Sequence, residues 1–239
     1  LSEKGRTHLD LFSGIGGFAL ASKWAGFQTI GFSEIDPYSC RVLAKNFPGI
    51  PNLGDIKNIN GKDFKNPALI TGGFPCQPYS NGGLRRGSQD DRAIWPEMAR
   101  VISEARPSWI IAENVLGLIS LELDSVLDDL ENLDYSTDAI IVPACSVDAP
   151  HRRDRIWVFA YSMRNIKPRA QSCRGEIGRV GGVCKSVPWN KPWETALREF
   201  RGVDDGLSYR VDRIDSIRNA IVPQLAFEFM TMINQIDES

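Results

Sequence analysis

Thr7-His8-Leu9-Asp10-Leu11-Phe12-Ser13-Gly14-Ile15-Gly16-Gly17-Phe18-Ala19 reads as a strand, a glycine-rich turn and the start of a helix. A helical run from Leu20 to Ala25 follows, Gly26 ends it, and Gln28 to Glu34 reads as a second strand. This is a β-loop-α-β unit. Gly14, Gly16 and Ala19 fit the pattern G-x-G-x-x-A, and the acidic Glu34 lies about 20 residues beyond it. Glycines let a backbone come close to a ligand, and a carboxylate ending the second strand can accept ribose hydroxyls. Nicotinamide cofactors and S-adenosylmethionine both carry an adenosine ribose, so the loop by itself serves either.

Outward from this unit, Asp36 and Pro37 fit the N-cap and first position of a helix running to Asn46. Gly54-Asp55-Ile56 reads as a strand end. The stretch Ala68-Leu69-Ile70-Thr71-Gly72-Gly73-Phe74-Pro75-Cys76-Gln77-Pro78-Tyr79-Ser80 reads as a fourth strand that delivers one cysteine at its C-terminal edge. In open α/β sheets ligands bind at that edge, and Cys76 between two prolines is placed as a nucleophile is. Ser80 to Ala93 is rich in Gly, Arg and Asp and reads as a long functional loop. Ile94 to Ala105 is helical by periodicity, Trp109 to Ala112 is a fifth strand, and Glu113-Asn114-Val115 ends it. An amphipathic helix over Leu121 to Leu133, strands over Thr137 to Val142 and Arg155 to Ala160, and a last helix containing Leu225, Phe229 and Ile233 complete the alternation. The expected fold class is α/β, a doubly wound and mostly parallel sheet.

Composition narrows the function classes. With 239 residues, 42% of them hydrophobic, the chain supports a substantial core. A net charge of −2 leaves nucleic-acid contacts to local basic patches. One such region is Met163 to Arg201, where nine Arg and Lys residues face three Glu. Five cysteines without a C-x-x-C pair, and only His8 and His151, fit a reducing compartment and leave few parts for a zinc site or a Ser-His-Asp triad. No run has the length of a membrane span or of a signal-peptide core, which gives the expectation of a cytoplasmic protein without a membrane partner.

Taken together, Phe12-Ser13-Gly14-Ile15-Gly16-Gly17, Pro75-Cys76-Gln77, Glu113-Asn114-Val115, His151-Arg152-Arg153-Asp154-Arg155 and Asn219-Ala220-Ile221-Val222-Pro223 resemble the motifs of DNA (cytosine-5) methyltransferases, in the same order. The short phage and prophage forms are the most similar. The resemblance spans about Leu9 to Tyr161 and resumes near Asp205. It implies a Rossmann-like methyltransferase domain (1–162), a small basic target-recognition segment (163–204) and a C-terminal segment returning to the first domain (205–239).

The resemblance also implies the chemistry. The methyl donor is S-adenosylmethionine, the product S-adenosylhomocysteine, no metal takes part, and the target is C5 of a cytosine flipped out of duplex DNA. Cys76 is the implied nucleophile and Glu113 the group that acts on N3 of the base. Arg155, and less directly Arg153, serve the base and the surroundings of the nucleophile. Phe12, Gly14, Ile15, Gly16 and Asn219 are implied around the methionine end of the cofactor, Glu34 at the ribose, Ile35, Asp55 and Ile56 at the adenine, and Pro75 beside it. Gln77, Ser80, Arg85, Arg86 and Arg92 are the implied DNA contacts, His8 and Cys40 being structural. A monomer, with a cognate restriction nuclease acting separately, is the implied arrangement. Three features depart from the pattern: the recognition segment is short, the arginine-proline-rich motif that usually organises it is not found, and Arg218 stands where a glycine usually precedes Asn219. Alternative readings are a tRNA cytosine methyltransferase, a non-catalytic DNA-binding relative and, on the glycine loop alone, a nicotinamide dehydrogenase.

Overall fold

The apolar runs of the sequence become six strands of one sheet: β1 (Thr7–Leu11), β2 (Gln28–Ser33), β3 (Leu69–Gly72), β4 (Trp109–Asn114), β5 (Tyr135–Pro143) and β6 (Asp154–Ser162). The computed structural model describes residues 6–75, 94–149, 152–165 and 220–238. Strand order is β2-β1-β3-β4-β6-β5. β1 to β4 pair in parallel, and β6 runs antiparallel to both β4 and β5. The order reverses at β1, where β2 lies on one side and β3 on the other. This is where a doubly wound sheet opens a crevice.

Successive residues of a strand point to opposite faces, so β4, buried at every position, feeds two cores. Ile110 and Ala112 join Leu9, Leu11, Ile70, Met98, Ile102 and Val158 on one face. Trp109 and Ile111 join Leu69, Phe18, Trp157, Phe229 and Met230 on the other. The first face is covered by α3 (Trp95–Ala105) and α5 (Leu123–Asn132), the second by α1 (Gly17–Trp24) and α6 (Pro223–Glu238). Burying each large apolar side chain stabilises by about 1.5–3 kcal/mol, so the sheet is the rigid floor of the molecule. A further helix, α2 (Pro37–Asn46), packs Leu43 on Phe32 and Ala19 at the β2 side. Its expected start is met: the Asp36 carboxylate accepts the Ser39 amide at 2.7 Å, and Pro37 takes the first turn.

Two expectations are corrected. Gly54-Asp55-Ile56 is not a strand end; Ile56–Asn58 forms a 3-10 turn, because the Asp55 side chain accepts the Lys57 amide at 3.0 Å and folds the chain back. The chain meets the sheet there through a single bridge of Asn52 with Phe32 and through the Ser33 hydroxyl, which donates to Gly54 O at 2.9 Å. The segment leading to Cys76 therefore follows the third strand, not the fourth. The helix expected over Leu121 to Leu133 forms as α5, and a short helix, α4 (Leu118–Leu121), precedes it, separated because Glu122 leaves helical geometry. β6 begins at Asp154, so Arg155 lies on it and Arg153 precedes it. Among the described residues no helix is long and apolar enough to cross a membrane.

Candidate active site

At the C-terminal ends of β1 to β4 lies a cavity of about 460 Å³. Its floor is the turn from Phe12 to Gly17. Phe12 holds the left-handed region (φ 54°), which costs a non-glycine residue about 1 kcal/mol, and so turns sharply out of β1. The Ser13 amide donates to Ser33 O at 3.0 Å and the Ser13 hydroxyl to Asp10 O at 2.7 Å, which joins the ends of β1 and β2. Gly14, Ile15 and Gly17 line the cavity. Gly14 has φ +52°, and a Cβ there would meet nothing within 4 Å, so its backbone is open to a ligand. Gly16, expected as a cofactor contact, does not line the cavity. It caps α1 at φ +90°, and a Cβ there would lie 2.5 Å from the Phe47 ring; its glycine serves packing against α2.

Glu34 binds the turn to the opposite wall. One carboxylate oxygen accepts the Gly14 amide at 2.7 Å, and the other accepts the amides of Ile35 at 2.8 Å and Asp36 at 2.7 Å. Three backbone donors thus fix the carboxylate at the cavity rim, each being a charge-assisted bond. Ile35, 68% exposed, offers an apolar surface to the cavity, and Asp55 and Ile56 form the wall across from it. The turn, the carboxylate and the apolar residue together suit an adenosine group with an adjoining charged chain. Asp36 and Ile94 also line the cavity, as do Ala220 and Ile221 of the last motif; none of the four was expected as a cofactor contact.

At the far end, Pro75, Gly73 and Glu113 border the same space. Asn114 donates from its side chain to Phe74 O at 3.0 Å and accepts the Val115 amide at 2.8 Å, so the end of β4 holds the chain two residues before Cys76. Antiparallel pairing of β4 with β6 sets Glu113 opposite Trp157 and brings Arg155 alongside. Arg155 Nε lies 2.9 Å from Glu113 Oε1. The contact is an ion pair without hydrogen-bond alignment, so Oε1 stays buried with no aligned donor. Burial pushes the Glu113 carboxyl above the usual carboxylate range, and the charges of Arg155 and Arg153 only partly oppose it. Arg153 is half-buried, its Nε has no acceptor among the described residues, and burial with the neighbouring Arg155 charge lowers its pKa. A protonatable carboxyl beside two cations can hydrogen-bond a ring nitrogen and stabilise charge on a nucleophile.

Beneath the turn runs a buried polar chain that sequence reading missed apart from His8. The Thr71 hydroxyl donates to Asp10 Oδ1 at 3.0 Å and lies 2.7 Å from His8 Nε2. His8 Nδ1 is 3.0 Å from the Thr29 hydroxyl, which lies 3.2 Å from that of Ser22. Thr71 gives its proton to Asp10, so it accepts from His8 Nε2–H, and Nδ1 accepts from Thr29. Burial lowers the His8 pKa to about 3 and raises that of Asp10 to about 8, despite hydrogen bonds from Thr71 and the Ala19 amide. Asp10 Oδ2 has no partner among the described residues. Burial therefore favours the neutral form of the Asp10 carboxyl, and His8 is structural as expected.

Residues 7–184 match the C-5 cytosine-specific DNA methylase family. The chain belongs to this family. The type II methyltransferase M.HhaI of Haemophilus parahaemolyticus is 33% identical over 162 residues, which cover 66% of this chain and 49% of that protein. M.AplI of Arthrospira platensis is 37% identical over 168 residues, covering 69% and 48%. A structure described as that of a DNA modification methyltransferase encoded within an E. coli prophage superposes with TM-score 0.57 at 30% identity, over 65% of this chain and 46% of that one. The S. pombe Dnmt2 methyltransferase gives 0.58 at 25% identity, over 68% and 52%. The methylase chain spans about half the length of the curated relatives it matches. As a fold, the family brings a Rossmann-like α/β domain, and the sheet described above is of that kind.

Of the residues expected in the site, Phe12, Gly14, Ile15, Glu34, Ile35, Asp55, Ile56, Pro75 and Glu113 meet at one cavity, with Arg155 and Arg153 behind Glu113. Cys76, Gln77, Ser80, Arg85, Arg86, Arg92, Arg218 and Asn219 lie outside the described residues, as does the recognition segment beyond Asn165. Among the described residues no group of three His, Cys, Asp or Glu could hold a metal ion. Cys40 is half-buried, its thiol directed to Glu34 O at 3.3 Å.

Proposed function

We propose that this chain transfers a methyl group from S-adenosylmethionine to C5 of a flipped cytosine in duplex DNA. The observation that carries the reading is that one cavity joins the Gly14–Glu34 cradle to the buried Glu113 carboxyl, with Arg155 beside it. The cofactor supplies a methyl group on a sulfonium centre, and its adenosine suits the Glu34, Ile35 and Asp55 walls. The amide ends of α1 favour a carboxylate at the other end.

The chain's own groups do the rest. C5 of cytosine is a weak nucleophile until a group adds at C6. The Cys76 thiolate forms a bond to C6, while Glu113, its carboxyl pushed up by burial, shares a proton with N3 as charge reaches the ring. The electron pair moves to C5, which accepts the methyl group. A solvent base then takes the C5 proton, which drives out the thiolate and breaks the S–C6 bond, and the N3 proton returns to Glu113, restoring the ring. Arg155 holds Glu113 from behind, and Arg153 adds positive potential. Sequence recognition is assigned to segment 163–204 on its basic composition, and DNA backbone contacts to Arg85, Arg86 and Arg92. Acting as a monomer in the cytoplasm, with a separate nuclease cutting the unmethylated site, is the arrangement this activity fits.

Incubation of duplex DNA with methyl-labelled cofactor tests the reading. Label is expected in 5-methylcytosine with the wild type and at background with Cys76→Ala. No transfer by the wild type, or equal transfer by the variant, overturns it. Unlabelled tRNA that outcompetes duplex DNA moves the substrate to RNA.

A further inference from the structure

Resting on the cofactor reading above, the cavity wall that carries Asp55 and Ile56 has an unusual support. The segment from Asp55 to Phe64 forms two 3-10 turns, Ile56–Asn58 and Gly61–Asp63, and contributes no strand to the sheet. Its own hydrogen bonds are short-range ones, such as Asn58 N to Asp55 O and Ile59 N to Ile56 O. Such a segment needs an external hold to present a defined wall.

That hold comes from α3. Arg100 Nη2 donates to Ile56 O at 2.9 Å, and Nη1 donates to Ile59 O at 2.8 Å. The guanidinium is in turn set by Glu97, 2.8 Å from Nε, and by Glu104, 3.2 Å from Nη1. Glu104 also accepts the Gly61 amide at 2.7 Å. Gly61 allows this approach: a Cβ there would lie 2.6 Å from Val101 O. The same helix seats Met98 against Gly72, where a Cβ would lie 2.8 Å from Met98 Cε, and it is preceded by Ile94, another cavity residue. One helix therefore sets two walls of the cavity. A planar fork with five donors can serve two carbonyls and two carboxylates at once, which a lysine ammonium cannot.

We propose that Arg100 is a positioning residue for the adenosine end of the cofactor: by clamping the carbonyls of Ile56 and Ile59, it fixes the Asp55–Ile56 wall against which that group binds. Arg100 does not border the cavity, so its effect falls on cofactor affinity and not on the methyl-transfer step.

The test uses the full chain with S-adenosylhomocysteine as the probe, in wild type, Arg100→Lys and Arg100→Met. Isothermal titration gives the dissociation constant, and steady-state assays give kcat at saturating cofactor together with KM for DNA. Lysine keeps a cation beside Glu97 and Glu104, which preserves folding, but loses the double clamp. Arg100→Lys is expected to weaken S-adenosylhomocysteine binding about tenfold, or about 1.4 kcal/mol. Its kcat and KM for DNA should stay within about twofold, with Arg100→Met weaker still or unfolded. Arg100→Lys binding as tightly as the wild type overturns the inference, as does a fall in kcat equal to the loss of affinity, which marks general disorder. A wild type that binds no S-adenosylhomocysteine overturns the cofactor reading itself.

Discussion

Asp10→Asn isolates a buried proton. The Asp10 carboxyl is fully buried between β1, β3 and α1, with one oxygen held by Thr71 and the other without a partner among the described residues. Its pKa rises from 3.8 to about 8, chiefly by burial. Between these values the folded chain keeps a proton that the unfolded chain has released. Stability from this group therefore falls as pH rises, by about 1.4 kcal/mol per pH unit, and levels off above about pH 8. His8, whose pKa is lowered from 6.5 to about 3, acts in the opposite sense, but only below about pH 6.5. From pH 6.5 to 8 the wild type should lose on the order of 1–2 kcal/mol relative to Asp10→Asn. Glu113 and the other groups contribute equally to both proteins and cancel. Urea unfolding followed by tryptophan fluorescence at four pH values measures the difference. A constant offset between the two proteins across this range would refute a neutral Asp10.

Three further outcomes follow from the site. Gly16→Ala, which drives a Cβ into Phe47 at a left-handed position, should cost about 1–3 kcal/mol in urea melts, and Gly14→Ala, with open space, about 1 kcal/mol. Glu34→Gln replaces one carboxylate oxygen by a donor and leaves backbone amides facing it. Titration should show S-adenosylhomocysteine binding weakened by about tenfold or more, and unchanged binding would remove Glu34 from the cradle. Glu113→Gln should lower kcat by a factor of about 10² to 10⁴ while binding of the same ligand stays within a few-fold. Similar losses in both would make Glu113 a structural residue.

The sequence carried what depends on local chemistry. The strand-glycine-helix turn, the Asp36-Pro37 helix start and the apolar β4 are each written in a run of fewer than about ten residues, and each formed where it was expected. Glu34 stands out by its place about 20 residues after the glycine loop, and Glu113 only through the motif that it opens. Asp10 does not. A single acid inside an apolar strand shows its neutrality only when Thr71 and His8 arrive from other positions on the sheet. Gly16 carries a second constraint that is hidden in the same way. Its φ fits a ligand loop, but the Phe47 ring that demands the missing Cβ comes from the end of α2. The Asp55 turn was taken for a strand because its apolar neighbours outweighed the capping carboxylate. Arg100 has no motif around it at all, and its role appears only in the two carbonyls it reaches.

The central claim is that Cys76 attacks C6 of a cytosine in DNA. Duplex DNA containing 5-fluorocytosine cannot release the enzyme by losing a C5 proton, so with S-adenosylmethionine present it should trap the chain. Denaturing electrophoresis with intact-mass measurement should show a covalent complex carrying the transferred methyl group for the wild type and none for Cys76→Ala. A wild type that forms no complex while methylating ordinary duplex DNA, or a complex that persists in Cys76→Ala, would contradict the account.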